Sequence, residues 1–181
     1  MLIKGVFNMN ILCVDPTLNG TGLAVYDATN DKVLYTDIIT LSGARKRWHK
    51  VVPDHVTKDD MDYKRKLSFI GEVIEDVFKK FKIDKVIYER SYGSNPLGVT
   101  YVGMVTGLVL GIARMNGVYD FDDVHASTAK KQIAGKGNAS KQEVREELEK
   151  RYPYVEFKGH DDSDALAMGI AFLETNNKEK G

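Results

Sequence analysis

The chain has 181 residues, 43% of them apolar and 29% charged, which suits one soluble globular domain with a core large enough to need no staples. Its 26 basic and 26 acidic residues cancel, which counts against a uniformly basic nucleic-acid binder but says nothing of an acidic site offset by a basic surface. The single cysteine, Cys13, excludes a disulfide framework and points to a cytoplasmic protein.

Residues 1–8 lack the apolar stretch and small-residue cleavage site of a secretory signal, so they are expected to be a ragged extension of a single domain spanning 1–181. From Met9 onward the pattern sharpens. Ile11, Leu12, Cys13 and Val14 make a continuous apolar run, as in a strand buried on both faces, and the run stops at Asp15. Pro16 breaks the ladder, and Asn19-Gly20 offers the residues of a tight hairpin turn before a second strand from Gly22 to Tyr26. A carboxylate at the end of a central strand either accepts bonds from its own turn or is paired, protonated or metal-bound, because burying it alone costs several kcal/mol, on the order of 5.

Lys32 to Leu41 reads as a third strand, completing a meander. Ser42 to Asp60 has no clear period. Its basic run from Arg45 to Lys50, with Trp48 inside it, is either a solvated loop or a flap that contacts phosphates. Between Asp59 and Phe81, apolar residues at three- and four-residue steps predict an amphipathic helix that serves as scaffold, with Thr57 or Asp59 as its cap.

Asp84 opens a fourth strand, Lys85 to Tyr88, which again ends in an acid, Glu89. If the two acid-tipped strands are parallel neighbours, Asp15 and Glu89 lie side by side at their carboxyl ends, where open α/β sheets place their sites. Gly93 to Pro96 forms a stop. Leu97 to Met115 is nearly uncharged and long enough for a membrane span, yet Gly103, Gly107 and Gly111 give it a smooth face, and no second such segment occurs. It is expected to be a helix packed on the sheet or across a dimer interface, with no membrane involved.

Val118 to Val124 predicts a fifth strand, followed by a helix that carries Lys130 and Lys131 and a basic glycine turn around Lys136. Ser140 and Glu143 have the spacing of a capping box, and Pro153 marks the end of the helix they open. The last helix begins at Gly159-His160-Asp161-Asp162-Ser163-Asp164. Asp161 and Asp164 share a face, and three acids in four residues exceed what a cap needs.

Asp15, Glu89, Asp161 and Asp164 are thus four carboxylates at element ends with no cysteine- or histidine-rich partner set. Hard oxygen ligands suit Mg²⁺, with Mn²⁺ as a substitute. Two such ions, about 3.5–4 Å apart, activate a water and stabilise the leaving oxygen in phosphoryl displacement.

These residues resemble the RuvC-type Holliday junction resolvases of the RNase H-like superfamily, and phage-type members in particular. The match runs through Asp15-Pro16, Thr21-Gly22, Glu89 with Tyr92 three residues on, Lys130, the turn from Gly135 to Lys141, and Asp161-x-x-Asp164-Ala165-Leu166-Ala167. The resemblance implies an α/β fold: a five-stranded mixed sheet, its first three strands antiparallel, flanked by helices. It implies a homodimer that nicks a four-way junction in pairs, leaving 5′-phosphate and 3′-hydroxyl ends, with other branched DNA as a broader substrate class. Asp15, Glu89, Asp161 and Asp164 would be catalytic metal ligands for two ions. Lys130 and Lys141 would contact phosphate, Lys141 near the scissile group, and Tyr92 would stack on bases. Arg90, Lys131 and Lys136 are expected to add DNA contacts. A phage-encoded member would act in the host cytoplasm.

The pattern has departures: the basic flap has no counterpart, His160 precedes the acidic pair instead of replacing a member of it, and Asp162 is an additional acid. An actin-like kinase would need a second domain and a second phosphate hairpin. A relative acting on structured RNA and a junction binder without catalysis remain as alternatives.

Overall fold

The computed structural model describes residues 9–40, 63–90 and 95–179. Five strands form one sheet: β1 (Asn10–Asp15), β2 (Thr21–Asp27), β3 (Lys32–Ile39), β4 (Lys85–Glu89) and β5 (Phe121–Val124). Their spatial order is β3-β2-β1-β4-β5. The first three strands are antiparallel, and β4 and β5 run parallel to β1, which is the expected topology.

Among the described residues, five helices flank the sheet: α1 (Tyr63–Lys80), α2 (Pro96–Met115), α3 (Ala126–Ala134), α4 (Lys141–Arg151) and α5 (Asp161–Glu179). Strand side chains alternate between faces, so β1 splits its apolar run in two. Leu12 and Val14 join the core under α1 and α2, while Ile11 and Cys13 join the core under α3, α4 and α5. The same alternation sends Leu23, Val25 and Val86 one way and Ala24, Tyr26 and Ile87 the other. Each fully buried Leu or Ile contributes about 1.5–3 kcal/mol by leaving water, so a one-residue slip of β1 would lose several such contributions at once.

The same alternation holds at the strand ends. Residues 11, 13 and 15 lie on one face of β1, 22, 24 and 26 on the same face of β2, and 85, 87 and 89 on that of β4. Asp15, Gly22 and Glu89 therefore all point toward the layer that contains α5.

Several sequence expectations need correction. No tight Asn19-Gly20 turn forms: β1 and β2 are joined by the five residues 16–20, and Gly20 keeps an ordinary negative φ. The threonines close that loop instead, with Gly20 N–H donating to Thr17 Oγ1 at 3.1 Å and the Thr21 hydroxyl donating to the Thr17 carbonyl. Lys66 on α1 ties it down by donating to Asn19 Oδ1 at 2.7 Å. The third strand ends at Ile39, not Leu41, and the fifth begins at Phe121, because the Val118 amide is taken by the Ala113 carbonyl at the end of α2.

The glycine face of α2 does not pack on the sheet. The helix buries Val105, Val109, Ile112 and Ala113, whereas a Cβ at Gly103, Gly107 or Gly111 would meet nothing within 4 Å among the described residues. This is the one described helix long and apolar enough to cross a membrane. The Arg45–Lys50 flap, Tyr92 and the expected caps Thr57 and Asp59 lie outside the described residues.

Candidate metal centre

The acids converge at the carboxyl ends of β1 and β4. One carboxylate oxygen each from Asp15, Asp161 and Asp164 lie within 4.8 Å of one another. Glu89 stands outside this closest triad but next to it, since Val14 and Tyr88 are direct partners in the parallel ladder and the acids follow them. The sequence-predicted quartet is thus assembled by two parallel strands and one helix N-terminus.

Helix α5 reaches the strands because two glycines let it. Gly22 is the antiparallel partner of Asp15, and a Cβ there would stand 2.0 Å from the Asp161 carbonyl oxygen. A Cβ on Gly20 would come within 3.0 Å of Asp161 Oδ2. Further along the helix, Gly169 admits the Cys13 sulfur, which a Cβ would meet at 2.2 Å. Cys13 itself is fully enclosed, and burial pushes its thiol up to about 12, so it is packing and not chemistry.

Asp15 is 5% exposed. Burial, then the charges of Glu89, Asp161 and Asp164, push its carboxyl up to about 8, against a downward pull from Lys141. Glu89 is raised by burial and by Asp164, with Lys141, Lys130 and His125 pulling the other way. Lys141 is the cation inside the cluster: Nζ is 2.8 Å from Asp164 Oδ2 and 3.3 Å from Asp161 Oδ1. Burial lowers its ammonium, but the bond to Asp164 and the charges of Asp164, Asp15 and Asp161 outweigh that and hold it protonated.

Among the described residues, Lys141 is the ammonium paired with these acids, and four carboxylates outnumber it in a partly dry site. A hard divalent cation fits this donor set, since all donors are carboxylate oxygens, and burial together with the neighbouring acids raises the Asp15 carboxyl in the absence of added positive charge.

The remaining predicted residues divide. Lys130 on α3 is half-buried and close enough to act on Glu89, and Lys131 is exposed beside it. Lys136 donates to Glu143 Oε1 at 2.5 Å and so is engaged with the capping box, which forms as expected: Glu143 N–H donates to Ser140 Oγ and Ser140 N–H to Glu143 Oε2. Arg90 pairs with Asp123 on β5.

Asp162 is not a ligand. It is fully buried and accepts three backbone N–H bonds. His160 lies outside the triad, and its Nδ1 is enclosed without a hydrogen-bond partner among the described residues. Sequence reasoning passed over His125, which stands at the N-cap position of α3 just after β5, without a capping bond from its side chain, and which acts electrostatically on Glu89. The signal was available: β5, like β1 and β4, is followed by a polar side chain at its carboxyl end.

With this geometry in place, the similarities to known proteins are consistent over nearly the whole chain. The family model described as "Crossover junction endodeoxyribonuclease RuvC" matches residues 11–172. The protein of that name from Rhizobium johnstonii is 24% identical over 174 residues, covering 95% of this chain and 94% of the relative. Its namesake from Bdellovibrio bacteriovorus is 27% identical over 159 residues, 87% of this chain and 86% of the other. Among solved structures, Thermus thermophilus RuvC in complex with a Holliday junction substrate superposes with a TM-score of 0.74 at 20% identity, covering 94% of this chain and 96% of that one. The yeast mitochondrial Holliday junction resolvase Ydc2 gives 0.62 at 14% identity, covering 96% and 82%. The shared fold is RNase H-like.

Proposed function

The chain belongs to the crossover junction endodeoxyribonuclease RuvC family, and from that premise we propose that it is a metal-dependent endonuclease that nicks four-way DNA junctions. The observation that carries this reading is the triad Asp15, Asp161 and Asp164, with Glu89 beside it and Lys141 inside it.

Asp15, Asp161, Asp164 and Glu89 would hold two Mg²⁺ ions, for which Mn²⁺ would substitute. Bound there, divalent cations supply an activated water and stabilisation of the leaving oxygen. Lys141 is poised to release its carboxylates and meet the scissile phosphate as a point charge. Lys130 extends the positive edge on the Glu89 side, with Lys131 next to it. Arg90 and Lys136 would join only by exchanging Asp123 and Glu143 for phosphate. Tyr92 would stack on bases near the junction centre. The products would carry 5′-phosphate and 3′-hydroxyl ends.

A junction has two strands to cut, and a two-fold dimer brings two sites to it. The glycine face of α2 is the surface that fits such a contact: it is apolar, uncovered by any described residue, and flanked by exposed Leu97 and Met104. The chain acts as one nuclease domain, with residues 1–8 as an extension.

The test is cleavage of a labelled synthetic four-way junction beside linear duplex, forks and structured RNA, each with Mg²⁺, Mn²⁺ or chelator. Paired, metal-dependent nicks confined to branched DNA are expected. Cleavage of RNA alone, or junction binding without cleavage under either metal, would overturn the reading.

A further inference from the structure

Asp162 sits between two proposed metal ligands and turns away from both. Its carboxylate accepts from Lys158 N–H at 2.8 Å, Gly159 N–H at 3.2 Å and Ser163 N–H at 3.0 Å. An ordinary helix cap satisfies amides of the helix it opens. Two of these three amides belong instead to the segment before the helix, so Asp162 clamps that segment onto α5.

The clamp has a second end on the sheet. Lys158, held at its amide by Asp162, reaches with Nζ to Asp37 on β3. Asp37 is 4% exposed and also accepts from the Tyr35 hydroxyl at 2.7 Å and the Ile38 amide at 2.9 Å. Gly159 lies against the same strand, where a Cβ would stand 2.7 Å from Ile38 Cδ1. A continuous path of bonds thus runs from β3 through Asp37 and Lys158 to Asp162, and ends between Asp161 and Asp164.

The geometry points to Asp37, Lys158 and Asp162 as a positioning relay that sets the spacing of Asp161 and Asp164 for metal and so determines how tightly the site holds it. The inference rests on the reading of those two acids as ligands. Groups that orient ligands from outside the coordination sphere typically change metal affinity by about 10–100-fold when removed. The relay's bonds run to the backbone before α5 and to β3, away from the Lys141 contacts with Asp161 and Asp164, so its loss should leave metal-free junction binding intact.

The experiment compares the full-length protein with Asp162→Ala, Lys158→Met and Asp37→Asn. Mn²⁺ binding is read from the free-ion electron paramagnetic resonance signal, junction binding in chelator by gel shift, and folding by circular dichroism. Mn²⁺ affinity is expected to fall about tenfold in Asp162→Ala and several-fold in the other two, on the scale of such outer groups, with metal-free junction binding unchanged and cleavage recovered at excess Mn²⁺. Folded variants that bind Mn²⁺ as the parent does would overturn the relay, even if they unfold at lower temperature. So would weakened metal-free junction binding with Mn²⁺ affinity intact. If Asp162→Ala does not fold, the two outer variants decide. A parent that binds Mn²⁺ more tightly than its variants yet cuts no junction would sink the nuclease reading and leave the relay standing.

Discussion

Gly22 and Asp161 meet backbone to backbone, so closely that a Cβ on the glycine would lie 2.0 Å from the Asp161 carbonyl oxygen and 2.3 Å from its carbon. Gly22 is also the ladder partner of Asp15, so one missing side chain brings the two acids together. Gly22→Ala has no flexible neighbour to displace and must push α5 off β2. Overpacking of this kind costs about 1–3 kcal/mol, to be read by urea unfolding. Junction cleavage should fall further than the loss of folded protein accounts for. A variant with parental stability and cleavage would refute the contact's role.

Gly169 makes the same point in the middle of α5. Gly→Ala inside a helix ordinarily gains about 0.5–1 kcal/mol. Here the new Cβ would stand 2.2 Å from Cys13 Sγ, and the sign should reverse to a loss of about 1–3 kcal/mol. Adding Cys13→Ala removes the sulfur, and the two changes together should be less destabilising than their sum. A double-mutant cycle on urea unfolding measures that coupling, and additivity would contradict it.

The crowded acids make stability depend on pH. Asp15 holds its proton to about pH 8 in the fold, against 3.8 for an ordinary aspartate. Its contribution is therefore complete below about pH 4 and is lost as pH rises toward 8. In chelator, stability should decline across that window, and Asp15→Asn should lack part of the decline. At pH 8 the variant should gain on the order of 1–3 kcal/mol, the scale for relieving a poorly matched buried polar group. Equal slopes for the two proteins by urea unfolding would contradict the electrostatic account.

The glycine face of α2 gives a prediction about assembly. Space is open around Gly107 among the described residues, so Gly107→Leu should leave the subunit folded. It should nonetheless weaken a two-fold contact that depends on close helix approach, lowering the mass seen by analytical ultracentrifugation from dimer to monomer. An unchanged dimer would place the interface elsewhere.

Much of this was legible in the sequence because period-two alternation and strand ends are local signals. Asp15 and Glu89 each end an apolar run, so their meeting required only that β1 and β4 be parallel neighbours, and Asp161 and Asp164 are one helical turn apart on the helix that Gly22 admits. What was not legible depends on which partner each residue meets in the folded chain. Asn19-Gly20 looked like a tight turn, but the threonine hydroxyls at 17 and 21 support a five-residue loop instead. Asp162 differs from its acidic neighbours only in where three amides lie. Lys136 resembled a free basic residue until Glu143, seven positions on, took it. Gly103 and Gly22 are alike as letters, yet one faces open space and the other a carbonyl.

The central claim is that Asp15 belongs to a metal-dependent nuclease site, and the most direct test is single-turnover cleavage of a labelled four-way junction by Asp15→Asn beside the parent in Mg²⁺. The account predicts paired nicks from the parent, abolished by chelator. From the variant it predicts junction binding with no nicks, at least about a hundredfold below the parent, the scale of losing one electrostatic group from a site. Cleavage by the variant at the parental rate would contradict it.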